Sequence, residues 1–88
     1  MTGANAIVIT HEVLHTLGAS DHYDLASGLP LYPQGYAQPE ASPRFPQRFA
    51  EIMAGRRALS ESDAEMPESL EAVRVGELTA REINWNAR

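Results

Sequence analysis

Five of the six prolines in this 88-residue chain stand at positions 30, 33, 39, 43 and 46. Proline fixes φ and removes a backbone donor, so neither a regular helix nor a central strand runs through that spacing. The segment from Gly18 to Pro46 therefore reads as a long irregular loop, and regular structure is confined to its flanks. Leu29, Leu31, Tyr32, Tyr36 and Phe45 give the loop enough apolar mass to pack down. Loops of this length in small domains are often functional. Tyr32 and Tyr36 are candidate oxyanion or substrate contacts, with ordinary loop packing as the plainer reading. Asp24 is a weak calcium candidate and a better solvated acid.

The flank before the loop carries His11-Glu12-Val13-Leu14-His15 and, further on, Gly18, Asp21 and His22. All three histidines of the chain fall within these twelve residues. Positions 4–17 read as a helix, with Ala6, Val13 and Leu17, and Leu14 beside them, as its apolar stripe. Two histidines four apart on a helix face the same way, about 5–6 Å from each other. Both imidazoles then reach one metal ion at roughly 2.0–2.1 Å, the distance zinc prefers. Glu12 flanks that position without sharing the ligand face, where it can hold a metal-bound water and take its proton. Gly18 ends the helix, because glycine accepts positive φ without a Cβ clash. The turn it makes lets a residue about three further on swing back toward the metal; Asp21 and His22 both stand there.

This pattern resembles the metzincin clan of zinc endopeptidases, whose motif is H-E-x-x-H-x-x-G-x-x-H followed by a methionine-bearing turn. His11, Glu12, His15 and Gly18 match. An aspartate at the third ligand position resembles the snapalysin type, which implies His11, His15 and Asp21 as ligands, with His22 the alternative third. Glu51-Ile52-Met53-Ala54-Gly55 resembles the Met-turn, which implies that Met53 packs beneath the ligand histidines. The activity implied is zinc-dependent hydrolysis of peptide bonds in a peptide or protein substrate, with Glu12 as general base.

The remaining sequence is read more coarsely. Gln47 to Ile52 is expected as a short helix with Phe49 and Ile52 inward. Arg56 and Arg57 are candidate contacts for a substrate carboxylate, since arginine presents a fork of donors, set against plain surface arginines. Pro67 to Val75 suits a short helix on Leu70 and Val73 or a strand on Val73 and Val75. Thr79-Ala80-Arg81-Glu82 is a capping-box pattern opening a last helix over about 79–86, packed through Ile83 and Trp85.

Composition narrows the function classes. The chain has no cysteine, so disulfides and thiolate zinc sites are excluded. Twelve acidic against seven basic residues leave a net charge of −5 and no basic stripe for nucleic acid. No apolar run reaches a membrane span, and no targeting segment is recognised, so the compartment is left open; the resemblance makes secretion plausible if an upstream segment exists. Ala6 to Ile9 is apolar nearly all round and wants cover on more than one side. In metzincins that cover is an upstream sheet and helix. We therefore expect residues 1–88 to be a single partial catalytic domain, completed by a missing N-terminal segment or a partner. The expected fold is mainly α with long irregular loops, or α+β if that sheet is counted, with a zincin-like active-site helix, a Met-turn and a C-terminal helix. The competing function is a weak or inactive zinc-binding or interaction fragment that lacks the substrate-binding sheet.

Overall fold

Helix α1 spans Gly3–Thr16 and ends where the sequence changes character at Gly18. The computed structural model describes the backbone of residues 3–86 and the side-chain surroundings of residues 5–84. Ala19 N–H donates to Leu14 O at 3.0 Å and Gly18 N–H to His15 O at 3.1 Å, the paired bonds of a Schellman stop. Gly18 sits at φ 103°, where a side chain would be strained. The chain then enters the proline-rich segment, which contains only isolated bridges, Tyr23 with Pro30 and Tyr36 with Ala50.

Four two-residue strands follow: β1 Ala50–Glu51, β2 Arg57–Ala58, β3 Ala64–Glu65 and β4 Val73–Arg74. β1 pairs with β4 in parallel and β2 with β3 antiparallel. A short 3-10 turn, Leu70–Ala72, leads into β4, and helix α2 closes the fold over Glu77–Asn86.

This corrects the mainly α expectation. The helices hold 14 and 10 residues, and the strands arise within the chain's own second half, not from an upstream sheet, so the zincin-like architecture does not describe it. Gln47 to Ile52 is not a helix, for two reasons. β1 takes its backbone partners from β4, with Ile52 N–H on Arg74 O at 3.0 Å. The Glu51 side chain is also drawn inward, away from solvent.

The core is small: Ile7, Ala19, Ile52 and Met53 are buried, with Leu14, Val73 and Ile83 packed on them. The inner stripe of α1 is therefore Ile7 and Leu14. Val13 and Leu17, expected inside, are about half exposed, as are Val8 and Ile9. The rotation is fixed from the polar side: His11 Nδ1 donates to Ile52 O at 2.8 Å, which turns the His11 side of the helix toward the core. Ile83 joins the core from α2; the Trp85 side chain lies outside the described residues. No helix among the described residues is long and apolar enough to cross a membrane.

The irregular loop is nonetheless packed. Tyr36 is buried, with its ring edge-on to Tyr32 and Phe45. Burial pushes the Tyr36 phenol up, and that outweighs the opposing charge of Arg44. The Gln47 amide is also buried and bonds back to Gln38 and Arg44, standing in for backbone pairing that the prolines remove.

Candidate metal centre

His11 and His15 project from one face of α1, their ring centroids 4.7 Å apart. Each ring is oriented by a carbonyl. His11 Nδ1 lies 2.8 Å from Ile52 O, and His15 Nδ1 lies 2.9 Å from Ala19 O. A carbonyl only accepts, so both Nδ1 atoms carry their protons and both Nε2 atoms are free to present lone pairs. The first anchor comes from the turn after β1, the second from the residue just past the Schellman stop.

The Gly18 turn brings Asp21 back to these nitrogens. Asp21 Oδ1 lies 3.1 Å from His11 Nε2 and 2.9 Å from His15 Nε2, and the two nitrogens are 3.0 Å apart. Three acceptors thus converge in a near-equilateral triangle. Lone pairs at this separation repel unless a cation or a proton lies among them. Corners about 3.0 Å apart stand roughly 1.7 Å from the triangle's centre, so a point roughly 1.1 Å off the plane is about 2.05 Å from all three, zinc's nitrogen and oxygen distance. Two neutral imidazoles and a carboxylate form a donor set that suits zinc. The side chains of His11, His15 and Asp21 are 14%, 31% and 34% exposed, so the centre stays open on one side. Glu12 is exposed there, with a carboxylate oxygen within 4.8 Å of ligand nitrogens on both histidines.

His22, the alternative third ligand, is turned the other way. It is buried, with Nδ1 3.1 Å from Glu51 Oε1 and Nε2 3.1 Å from Glu82 Oε1. Hydrogen bonding to Glu51 holds its pKa above the ordinary value despite desolvation by burial; Glu82 adds to the rise. Burial alone would raise the Glu51 carboxyl, but hydrogen bonds from His22, Gly76, Thr79 and Met53 outweigh it and hold the group low. Burial likewise works against Glu82, and Ser20 and His22 hold it low.

This polar hub was not legible in the sequence. Thr79 and Glu82 do not cap α2: Thr79 donates to Glu51 Oε2 at 2.8 Å, and Glu82 accepts from Ser20 Oγ at 2.7 Å. The helix begins earlier, at Glu77. Thr79 instead ties α2 to β1, and Glu82 ties it to the loop that carries Asp21. The only sequence signal was a charged Glu51 amid apolar neighbours.

Met53 is fully buried beside Ile52, whose carbonyl orients His11; Met53 O in turn accepts from His22 N–H at 3.0 Å. Tyr32 is engaged by Arg44, which lies over its ring and bonds its hydroxyl. Asp24 Oδ1 accepts from Ala26 N–H in a local turn. Arg57 pairs with Glu65. Beside the metal centre a cleft of ≈ 270 Å³ is walled by His11 and Glu12 and by residues the sequence did not single out for it, Tyr23 and Met66 among them, together with Arg56. No family model, curated protein or solved structure matches the chain, so any functional reading stands on this geometry.

Proposed function

We propose that the chain is a zinc-dependent peptide-bond hydrolase whose ligand set follows the metzincin-like pattern His11, His15, Asp21. The observation that carries this reading is the triangle of three lone-pair donors within 3.1 Å, both imidazole tautomers set by carbonyls. Zinc held there would supply Lewis-acid chemistry, polarising the scissile carbonyl and acidifying nearby water.

The chain's own residues do the rest. Glu12 orients a water at the open side of the centre and takes one of its protons as the oxygen attacks. A C–O bond forms, the C–N bond breaks, and Glu12 passes the proton to the leaving amine. Ile52 O and Ala19 O keep the imidazoles from rotating during these steps. The walls of the cleft receive a substrate side chain next to the reacting carbonyl.

A second reading, zinc binding without hydrolysis, is favoured by one observation: every strand among the described residues is two residues long, a poor rail for an extended peptide. Metal content and cleavage of a quenched peptide library separate the two. The hydrolase reading expects about one zinc per chain, cleavage abolished by 1,10-phenanthroline, and a Glu12→Gln chain that keeps zinc but slows by about 10²–10⁴. Stoichiometric zinc with no cleavage supports the second reading, and absence of zinc binding removes both.

A further inference from the structure

We infer that Arg56 makes the cleft beside the metal centre selective for a carboxylate on the substrate, either an acidic side chain or a free peptide C-terminus. The inference rests on the hydrolase reading above and names its substrate class.

The arginines of the chain are mostly engaged. Arg44 lies on Tyr32, Arg74 over Phe49, Arg57 pairs with Glu65, and Arg81 with Glu77. The exposed guanidinium of Arg56 makes no hydrogen bond or ion pair among the described residues. Arg48, similarly unengaged through its side chain, is not on the cleft wall. Arg56 is on it, with His11 and Glu12. The cleft thus holds two opposite charges with separate duties: Glu12 stands at the ligand nitrogens, and Arg56 is left to meet an anion.

The surroundings strengthen that role. Ile7, Val8, Ala54 and Met66 make the rest of the wall largely apolar, so a carboxylate entering beside them loses water and gains from the guanidinium on the same wall. The volume of ≈ 270 Å³ suits one side chain or a chain end, being below the roughly 300–1,000 Å³ of pockets for larger ligands. The guanidinium is seated against a glycine: a Cβ on Gly28 would lie 2.5 Å from Arg56 Nη1, and Gly28 stands at φ +75°. A side chain at position 28 would displace the charge from its seat.

The test uses four peptides of one sequence with the full-length chain: Glu or Gln at one position beside the scissile bond, and a free or amidated C-terminus placed there. Binding is measured by calorimetry on the zinc-loaded Glu12→Gln chain, and kcat/KM on the wild type. One carboxylate, from the side chain or from the terminus, should be favoured about tenfold, the worth of one charge-assisted hydrogen bond partly open to water. Arg56→Ala should bring the members of that pair together by weakening the charged one. Arg56→Glu should reverse the preference toward a fifth peptide with Lys at that position, and Gly28→Ala should reduce the preference for the carboxylate. Arg56 is exposed and has no hydrogen bond or ion pair among the described residues, so its loss leaves no buried group of theirs without a partner. Equal binding of charged and neutral peptides with Arg56 intact, or a preference that survives Arg56→Ala, overturns the inference. If wild type cleaves none of the peptides, the hydrolase reading fails by itself, and the binding ratios still decide the role of Arg56.

Discussion

Glu51→Gln tests whether the fold and the metal centre share one support. The carboxylate is fully buried and accepts four hydrogen bonds. Oε1 takes His22 Nδ1–H at 3.1 Å and Met53 N–H at 2.8 Å; Oε2 takes Gly76 N–H at 2.9 Å and Thr79 Oγ at 2.8 Å. A glutamine has one oxygen where glutamate has two. In its best orientation the oxygen keeps His22 and Met53, and the NH₂ faces Gly76 and Thr79. The Thr79 hydroxyl can rotate to accept, but the Gly76 N–H is left without an acceptor. The ion pair with His22 is lost as well. Losing one partner of a buried pair costs about 3–5 kcal/mol, the orphaned amide included. A chain of this length has about 4–13 kcal/mol in all. At about 4–8 °C per kcal/mol the melting midpoint should fall by at least about 12 °C. Thermal unfolding followed by circular dichroism, with chelator present, measures it; the exposed Glu68→Gln serves as comparator. Zinc affinity should fall with it, because the turn after β1 also holds His11 through Ile52 O. A midpoint within about 4 °C of wild type would mean the hub contributes under 1 kcal/mol and would refute the reasoning.

Two further outcomes are expected. At saturating zinc and below the melting range, Asp21→Ala should lose the metal. His22→Ala should keep it with at most a tenfold to hundredfold weakening, about the range for groups outside the ligand set; loss confined to His22→Ala would reassign the third ligand. For the metal-free chain, stability should depend on pH with two opposite limbs. His22 is raised above its ordinary 6.5, so its contribution is complete below that value and is lost as pH rises through the folded value. Glu51 and Glu82 are lowered from 4.5, so theirs is complete above that value and is lost as pH falls through their folded values. The midpoint should therefore be flat between 4.5 and 6.5 and decline on both sides; no decline on the alkaline side would show that His22 is not held protonated by its carboxylates.

What the sequence made legible is what short-range geometry dictates. The spacing of His11 and His15, the positive φ at Gly18 and the return of Asp21 all act within eleven residues, and each follows from helix periodicity and the absence of a Cβ. The irregular course of the chain over the prolines was legible for the same reason, since each proline acts on its own φ and its own missing donor. The rest depended on partners far along the chain. The β1–β4 pairing joins residues more than twenty apart, and two-residue strands carry no alternation to read. The inner face of α1 does not follow from the apolar residues at 13 and 17, because the Ile52 carbonyl, through its bond to His11, decides which side turns inward. The capping-box reading of Thr79 and Glu82 failed in the same way: both side chains could serve the local helix end, but Thr79 meets the buried Glu51 carboxylate and Glu82 meets Ser20 and His22 instead. The order of these effects also explains why the centre is well formed in so small a fold. The candidate ligands are set by local turns, while the carbonyls that orient the two histidines, Ile52 O and Ala19 O, belong to the same few buried residues that make the core. Packing the core and aligning the imidazoles are therefore one event, and a substitution that loosens Ile52 or Ala19 disturbs the His11 and His15 rings together with the packing of Ile83 from α2.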